Sequence, residues 1–534
     1  MHAQKRILSI SAERVGFFGI GASNLSLLSM LPRDTSVTLR ADGKIDRAKI
    51  PKGVRIERIL EGDSALSELT EEILFLSPSV RRDRPELIRA RERGIILSSD
   101  AELFFKSVNR PVIAVSGSSG KSTTAYLTAA LINGTTSLVA EKASPYQQSD
   151  QAFTKAERTT PYQESDKASI SAARTTPYRE SDQAFTEAER TTPYQEASGS
   201  LICAKSGYTH PNLVHGHRAV LCGNIGKPMV ESIRDDATVY VTELSSFMLM
   251  SHTAQIKRSA ITNIKENHLD FHKSMKEYSE AKLSLLRLSE EIIINADDRR
   301  LSKYAGRSRR VFGVFSTELS PPELLKCHKA QIYMTLEDGF ICRNGERIID
   351  TARLARRERH NVANMMCAIL LSDGYGSASC REAVLSSFGG LPHRCETVGQ
   401  GGGVTYINSS IDTTPDRTAA TLSGLSGNVI LLLGGRGKGL SLCGLDSALR
   451  GKVKSVITFG EDGERIASEL QQKVRVRYLG SFENATVAAC RESSFGDTVL
   501  LSPASTSYDE FSSFEQRGNK FKEIVGRFLR GEIS

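Results

Sequence analysis

Apolar and polar positions alternate along the chain in a way that favours short buried strands separated by helices. In residues 12–106, the runs Val15-Gly-Phe-Phe18 and Ile73-Leu-Phe-Leu76 both lead into polar or glycine-containing turns. A helical pattern follows over 25–31, and Ser36-Val-Thr-Leu-Arg40 predicts a second strand. Strands that alternate with helices are typical of α/β sheets, so we expect a small α/β domain at the N-terminus.

The rest of the chain repeats this pattern with longer apolar runs. Pro111-Val-Ile-Ala-Val-Ser116 precedes a glycine-rich turn, and Ala237-Thr-Val-Tyr-Val-Thr-Glu243 delivers a carboxylate at the end of a buried strand. Residues 275–291 have helical spacing, and the apolar run at 429–434 leads into another glycine-rich turn. At 534 residues with 39% hydrophobic content, the chain is too long for one core. Two or three domains are therefore expected.

A sixteen-residue unit interrupts the pattern. It begins at Pro145 and recurs from Pro161 and Pro177, with a truncated start at Pro193. Each unit has few apolar residues, too few to build a stacked core. We interpret the segment as a solvated, disordered or weakly helical insertion, with a partner-binding or regulatory array as the alternative.

Composition excludes some classes of function. The net charge of +8 suits anionic small substrates, but no dense run of Lys and Arg marks a nucleic-acid-binding face. The nine cysteines have no CxxC pairs or regular spacing, which indicates neither a disulfide framework nor a zinc site and fits a reducing cytoplasm. No stretch approaches the length of a membrane span, and the N-terminus lacks a signal-peptide core.

The turn after Ser116 predicts a phosphate-binding loop. Its sequence is Gly117-Ser118-Ser119-Gly120-Lys121-Ser122-Thr123. Glycines let backbone N–H groups wrap round oxyanions, the following helix N-terminus adds positive potential, and the lysine adds a full charge. The strict pattern asks for a glycine where Val115 stands, so a turn without nucleotide is the alternative. Ser122 or Thr123 would hold a magnesium ion.

Other polar positions extend this hypothesis. Glu243, the imidazole of His268 and a loop hydroxyl form a reasonable site for magnesium and a polyphosphate. Taken singly, His268 would more often be a structural histidine and Lys282 a solvated charge. The earlier Gly19-x-Gly21 turn lacks a third glycine, and Arg40 replaces the acidic residue that NAD binding requires.

Several motifs of the chain occur together in one enzyme family. They are Ser-Gly-Ser-Ser-Gly-Lys-Ser-Thr, Gly-Asn-Ile-Gly, Glu-Leu-Ser-Ser-Phe, Asn-Ile-Lys-Glu-Asn-His-Leu-Asp, Glu-Ala-Lys, Asn-Ala-Asp-Asp, His360-Asn-Val-Ala-Asn364, Leu391-Pro-His-Arg-Cys-Glu396 and the segment 501–519. Through them the chain resembles the Mur ligase family, over nearly its whole length apart from about residues 142–218. The resemblance is greatest to members that act on UDP-N-acetylmuramoyl-L-alanine and D-glutamate.

The resemblance implies a three-domain α/β architecture. A Rossmann-like domain for the UDP-substrate would occupy residues 1–107. A central P-loop ATPase domain would occupy 108–390, interrupted by the low-complexity repeat insertion at about 142–218. A Rossmann-like domain for the amino acid would occupy 391–534. The implied enzyme is a cytoplasmic, monomeric, ATP- and magnesium-dependent ligase of peptidoglycan precursor synthesis, working through an acyl phosphate.

The resemblance also implies a role for each candidate residue. The implied catalytic and metal-binding residues are Lys121, Thr123, Glu243, His268 and, if carbamylated, Lys282. The implied ATP contacts are Gly117, Ser118, Ser119, Gly120, Lys121, Ser122, Thr123, Asn364 and Arg394. The implied contacts of the UDP-substrate are Ala22, Ser23, Arg40 and Asn224. The implied D-glutamate pocket contains Thr413, Lys438, Ser507 and Phe514.

The chain departs from the family pattern at three positions. The family often has aspartate where Ser409 and Asn267 stand, and asparagine where Ser119 stands. Ser409 bears on the nucleotide contacts, and Asn267 removes a charge beside His268. The alternatives are a Mur-fold ligase for another amino acid, a folylpolyglutamate synthase-like enzyme, or a non-catalytic scaffold that presents the repeats.

Overall fold

Three β-sheets organise the described part of the chain. The computed structural model describes residues 12–47, 50–135, 216–225, 228–266, 271–306, 308–437 and 441–533. The predicted repeat insertion lies outside the described residues, apart from residues 216–218. The sheets agree with the predicted α/β class, whereas the three domain boundaries remain predictions.

The first sheet has five parallel strands in the order β3-β2-β1-β4-β5. Its strands are β1 (Arg14–Phe18), β2 (Ser36–Ala41), β3 (Ile56–Glu61), β4 (Ile73–Leu76) and β5 (Ile96–Ser98), and its helices are α1 (Ala22–Met30), α2 (Pro85–Glu92) and α3 (Asp100–Ser107). Side chains of β1 alternate between the faces, so Phe17 packs in the cluster of Leu28 and Phe18 in that of Leu87. Because β1 lies between β2 and β4, the strand order reverses there, and ligands of such sheets bind outside the carboxyl ends at this point.

The second sheet has nine strands in the order β14-β13-β12-β11-β10-β9-β6-β8-β7, and only the β12-β13 and β13-β14 pairs are antiparallel. Its strands are β6 (Val112–Ser116), β7 (Ala219–Gly223), β8 (Val239–Glu243), β9 (Ile256–Ile261), β10 (Ser289–Asn295), β11 (Val311–Ser316), β12 (Ile332–Glu337), β13 (Phe340–Arg343) and β14 (Glu346–Asp350). Its helices are α4 (Lys121–Asn133), α5 (Ser246–Leu249), α6 (Met275–Arg287), α7 (Arg299–Ala305), α8 (Pro321–Cys327), α9 (Arg359–Ser372) and α10 (Ala378–Ser386). All five residues of β6 are buried, as expected for a central strand covered on both faces.

The helix predicted over 275–291 is shorter in the structure. Ser274 caps its start by accepting a hydrogen bond from the Glu277 N–H, and α6 ends at Arg287. Residues 289–291 belong to β10 instead, because Ser289 and Glu291 pair with β9. The β-branched residues 292–294 continue this strand through the core.

The third sheet has six strands in the order β15-β16-β20-β17-β18-β19, with β15 antiparallel to its neighbour and the other pairs parallel. Its strands are β15 (Glu396–Gly401), β16 (Val404–Asn408), β17 (Val429–Gly434), β18 (Val453–Phe459), β19 (Val476–Tyr478) and β20 (Thr498–Leu501). Its helices are α11 (Pro415–Ser423), α12 (Asp446–Leu449), α13 (Gly463–Leu470), α14 (Phe482–Glu492) and α15 (Phe514–Leu529). The predicted apolar strand at 429–434 is fully buried at its centre.

The first and second sheets share a hydrophobic core. Phe104 of α3 contacts Tyr240 of β8 edge to face, with ring centroids 5.1 Å apart. The buried carboxylate of Asp100, also on α3, accepts hydrogen bonds from the Met229 and Val230 N–H groups at 3.0 and 3.1 Å. This packing holds α3 against β8 and against the segment 229–230. Among the described residues, we find no helix with the length and hydrophobicity that a bilayer crossing requires.

Candidate active site

The predicted phosphate loop joins β6 to α4 and requires glycine at two positions. Gly117 and Gly120 have φ values of +146° and +80°, which L-residues rarely adopt. A Cβ at Gly117 would lie 1.9 Å from Thr262 Oγ1, and one at Gly120 would lie 2.3 Å from Asn364 Oδ1. The loop therefore has both the backbone shape and the close packing that a phosphate-binding turn needs.

Side chains that follow β9 brace this loop. Asn263 Oδ1 accepts hydrogen bonds from the N–H and hydroxyl of Ser119 at 3.1 and 3.2 Å. Thr262 Oγ1 donates to the Ser119 carbonyl at 2.5 Å. Ser118 Oγ donates to the Lys265 carbonyl and lies 2.9 Å from the Tyr278 hydroxyl. Because β9 is the parallel neighbour of β6, its carboxyl end delivers these groups to the same edge of the sheet.

Two lysine side chains converge on one carbonyl of the loop. Lys121 Nζ donates to the Gly117 carbonyl at 3.0 Å, and Lys282 Nζ donates to the same oxygen at 2.8 Å. Burial lowers the pKa of both amines, and Lys121 further lowers that of Lys282. Lys282 is only 2% exposed, so the reading of this lysine as a solvated charge is wrong. The sequence could not reveal this, because α6 buries the residue only through its packing on the loop.

Glu243 is a carboxylate whose charge acts on both of these lysines. It ends β8, pairs in register with Val115 of β6, and is 1% exposed. Its Oε1 accepts a hydrogen bond from the Asn224 side-chain amide at 2.9 Å. Its Oε2 is buried and has no hydrogen-bond partner among the described residues. A buried carboxylate oxygen without a partner is costly, and a bound cation would satisfy it.

The remaining predicted nucleotide contacts surround the first turn of α4. Ser122 and Thr123 are partly buried there, and Asn364 of α9 accepts a hydrogen bond from Thr124 Oγ1 at 3.3 Å. Arg394, exposed on the segment before β15, is close enough for its charge to contribute to the lowered pKa of Lys121. Arg417 contributes in the same way, although the sequence did not indicate it. The charges of two arginines therefore act on the loop lysine, which suits a site for a polyphosphate.

A cleft of about 690 Å³ lies between the first and second sheets. Ser23 of α1 and Asn224 after β7, both predicted to contact the UDP-substrate, line this cleft. The segment 77–83 after β4 and Phe247 of α5 line it as well. Ala22 is the first residue of α1. Because Asn224 also hydrogen-bonds to Glu243, the cleft adjoins the phosphate loop.

Arg40 does not line this cleft, and its predicted contact with the UDP-substrate is corrected by the structure. The side chain is completely buried and pairs with Glu71, with Nε and Oε1 2.7 Å apart. Its Nη atoms donate to the carbonyls of Ala65, Ser67 and Glu68. Since its hydrogen-bonding groups are turned toward the protein, Arg40 holds the segment 65–68 against β2.

The predicted amino-acid-binding residues lie on three segments of the third sheet's domain. Thr413 and Ser507 are 5% and 2% exposed, and Phe514 begins α15. Arg517, which sequence reasoning missed, ties these segments together. Its buried guanidinium donates to Ser410 and to the carbonyls of Ser505 and Thr506. Its position in the Glu-Gln-Arg-Gly motif was the only available signal.

Two predicted residues lie outside the described part of the chain. They are His268, predicted for the metal site, and Lys438, predicted for the amino-acid pocket. Among the described residues, no cluster of three or more His, Cys, Asp or Glu side chains could hold a metal ion. The carboxylate of Glu243 is therefore the structural feature that supports a cation at this site.

Comparisons with known proteins show which proteins the chain is similar to. The family model of the Mur ligase middle domain matches residues 225–372, and that of the Mur ligase glutamate ligase domain matches residues 393–505. The chain is 28% identical to a UDP-N-acetylmuramoylalanine--D-glutamate ligase of Ruminiclostridium cellulolyticum, over 97% of each chain. It is 29% identical to the ligase of the same description from Acetivibrio thermocellus, again over 97% of each. A crystal structure of UDP-N-acetylmuramate-alanine ligase from Thermotoga maritima has a TM-score of 0.49 at 16% identity, covering 97% of this chain and 99% of that one.

Proposed function

This chain belongs to the Mur ligase family, and we propose that it joins D-glutamate to UDP-N-acetylmuramoyl-L-alanine at the expense of ATP, in peptidoglycan precursor synthesis. The observation that carries the proposal is the contact between Asn224 and Glu243. Asn224 lines the cleft, and Glu243 stands beside the phosphate loop. A substrate in the cleft would thus present its carboxylate to a nucleotide in the loop.

The reaction begins when the carboxylate of the alanyl substrate attacks the γ-phosphorus of ATP. The bond to the β-γ bridging oxygen breaks, which leaves ADP and an acyl phosphate. The amine of D-glutamate then attacks the acyl carbon, inorganic phosphate leaves, and the amine loses a proton. In such phosphoryl transfers the protein acts mainly by positioning and charge stabilisation. Lys121 supplies a cation at the transferred phosphate. The N–H groups of the loop hold the other phosphate groups of ATP.

Glu243, Thr123 and His268 would hold magnesium ions, and Lys282 would do so as its carbamate. The structure supports this set through the partnerless Oε2 of Glu243 and the buried amine of Lys282. Because the pKa of Lys282 is held well below its ordinary value, this amine is neutral more readily than an exposed lysine and can react with carbon dioxide. Bound magnesium would neutralise charge on the phosphate oxygens.

The two remaining substrates occupy different regions in this proposal. The UDP-substrate lies in the cleft, near Ser23 and Asn224. D-Glutamate lies in the third sheet's domain, where hydroxyls of Thr413 and Ser507 and the cation of Lys438 would meet its carboxylates. Phe514 closes this pocket beside the His393 ring, with centroids 6.1 Å apart. The enzyme is proposed to work as a cytoplasmic monomer.

Phosphate release tests the proposal directly. The full chain should release phosphate from ATP in the presence of UDP-N-acetylmuramoyl-L-alanine only when D-glutamate is added. Lys121→Ala should lower this rate by about 10³-fold or more, because the charge at the transferred phosphate is lost. Lys106→Ala, at an exposed lysine of α3, is the matched control and should leave the rate unchanged.

The acceptor requirement separates this proposal from its rivals. Release that depends on another amino acid would identify a different ligase of the same family. Protein that binds ATP but releases no phosphate with any acceptor would overturn the enzymatic assignment. Turnover that survives Lys121→Ala would show that the nucleotide is processed elsewhere.

A further inference from the structure

Arg81 connects the cleft to the second sheet's domain through a dense set of contacts. It lies in the segment 77–83 after β4 and lines the cleft, with 19% of its side chain exposed. Its Nη1 donates to the Phe271 carbonyl at 2.7 Å, and its Nη2 donates to Glu277 Oε1 at 2.8 Å. The guanidinium carbon lies 5.3 Å from the Phe271 ring centroid. These contacts cross from the first sheet's domain to the start of α6.

The same guanidinium is fixed from its own side of the cleft. Its Nε and Nη2 donate to the two carboxylate oxygens of Asp83 at 2.9 and 2.8 Å. Lys273, one residue before the α6 cap, forms a second link to Asp83 at 2.8 Å. Arg81 holds the pKa of both Asp83 and Glu277 below their ordinary values, so the pairs stay charged near neutral pH. With its N–H groups engaged in these bonds, Arg81 is not a ready ligand for a substrate phosphate.

The helix that Arg81 contacts is the one that touches the phosphate loop. Glu277 is in the first turn of α6, and the next residue, Tyr278, places its hydroxyl 2.9 Å from Ser118 Oγ. Lys282, further along α6, donates to the Gly117 carbonyl at 2.8 Å. A continuous series of contacts therefore runs from the wall of the cleft through α6 to the loop.

We propose that Arg81 is a positioning residue, which holds the cleft segment 77–83 in register with α6 and so aligns the substrate carboxylate with the phosphate loop. This inference rests on the proposed function. Its physical basis is that small displacements of reacting groups strongly slow an in-line transfer. Arg81 itself contacts neither the nucleotide site nor the reacting atoms in this arrangement.

A pair of variants in one segment tests the inference. Arg81→Ala should lower kcat/KM for the UDP-substrate by about 100-fold and leave the KM for ATP unchanged. Arg81→Lys should recover part of the loss, because an ammonium can still pair with one carboxylate. Arg84→Ala is the matched control, since Arg84 makes a bidentate pair with Asp42 inside the first sheet's domain. It should behave as the wild type.

Hydrogen–deuterium exchange on the substrate-free full chain gives a readout that does not depend on activity. Arg81→Ala should speed amide exchange in both 77–83 and 271–277, relative to the wild type and Arg84→Ala. Equal exchange in all three proteins, or equal kinetics of Arg81→Ala and Arg84→Ala, would overturn the inference. If Arg81→Ala fails to fold, Arg81→Lys is compared with the wild type and Arg84→Ala in the same two experiments.

The two proposals fail in different ways. A wild-type protein without D-glutamate-dependent phosphate release would refute the proposed function, whereas the exchange experiment would still decide whether Arg81 joins the two segments. A wild-type protein with the expected release, together with an Arg81→Ala variant of full activity, would refute the positioning role alone.

Discussion

The glycine-rich turns that follow β1 and β6 both stand between a strand and a helix, but their surroundings differ. Each joins a buried parallel strand to a helix, and Gly19 and Gly120 share a φ of +80°. The first turn is held by Asn24, whose amide donates to the Gly19 carbonyl at 2.7 Å. The second is held by residues that follow β9 and receives two lysine side chains at the Gly117 carbonyl. Both turns join a strand to a helix, and the difference between them lies in what neighbouring strands and helices deliver.

Charge is the most instructive part of this difference. Arg40, which pairs in register with Phe18 at the end of β1, is neutralised by Glu71 in the core. At the second turn, Lys121 and Lys282 face a single buried carboxylate, Glu243. The first turn thus lies beside a neutralised cation, whereas the second turn suits a polyphosphate and a metal ion. Four predictions test this contrast.

Glu243→Gln should have the largest effect. The substitution keeps the size of the side chain but removes the charge that a cation beside the phosphate loop needs. We expect kcat/KM for ATP to fall by about 10³-fold, since a metal ion contributes several kcal/mol to such reactions. Titration of phosphate release with magnesium checks this. Glu337→Gln, at the end of β12 in the same sheet, is the control, and equal activity of both variants would contradict a metal role.

Arg40→Met should destabilise the protein without a specific effect on substrate binding. Removal of the arginine leaves Glu71 buried without its partner, which costs about 3–5 kcal/mol in comparable pairs. Urea unfolding measures the loss, and the double variant Arg40→Met with Glu71→Leu should regain most of it. A raised KM for the UDP-substrate in the stable double variant would instead restore Arg40 as a substrate contact.

Alanine at Gly19 and at Gly120, the two turn glycines with a φ of +80°, should separate the turns by ligand. Gly120→Ala should weaken ATP binding by about 100-fold, because its Cβ would meet Asn364 Oδ1 at 2.3 Å and shift the loop. Gly19→Ala, whose Cβ would meet Ser77 Cβ at 2.8 Å, should weaken only the binding of the UDP-substrate. Calorimetric titration with each ligand distinguishes them. Gly53→Ala is the control for backbone strain. Gly53 has a similar φ of +88°, but an added Cβ there would meet no atom within 4 Å. Loss of the same ligand in both variants would refute separate sites.

Asp100→Asn should have the smallest effect, and it depends on pH. Burial raises the pKa of Asp100 from 3.8 to about 6. The folded state therefore binds a proton more tightly than the unfolded state, so this contribution to stability is full below pH 4 and is lost as pH rises through 6. The total is about 3 kcal/mol. Unfolding at pH 4 and 7 should show a smaller decline for Asp100→Asn than for the wild type. Asp63→Asn, at an exposed site, should follow the wild type.

The fold class was predictable from the sequence because its strands are apolar and regularly separated by helices. Val112–Ser116 and Val429–Gly434 are central strands, as their β-branched and aliphatic runs indicated. The end of α6 was not predictable, since residues 289–291 have polar character and join β10 only through pairing with β9. The local pattern of apolar residues contains no information about a pairing strand that is distant in the chain.

The residues of the candidate site also differ in whether their roles could be predicted from the sequence. The glycines and Lys121 were recognisable because their roles depend on consecutive residues. The roles of Arg40, Arg81 and Arg517 were not, because an arginine can pair in the core, bridge two segments or bind an anion, and only its neighbours decide which. The bracing contact of Asn263 could have been anticipated, because Asn263 begins the Asn-Ile-Lys-Glu-Asn-His-Leu-Asp motif directly after an apolar segment, where such sheets bind ligands.

The sequence by itself determined the order of strands and helices, the conformation of the glycine-rich turns and the types of residue available for chemistry. Tertiary structure decided which charges are neutralised and which remain to meet a ligand. The physical reason is that backbone conformation depends on adjacent residues, whereas the free energy of a charge depends on its burial and on partners brought together from distant parts of the chain. Arg40 and Lys282 illustrate the two outcomes, one paired in a core and the other held beside the phosphate loop.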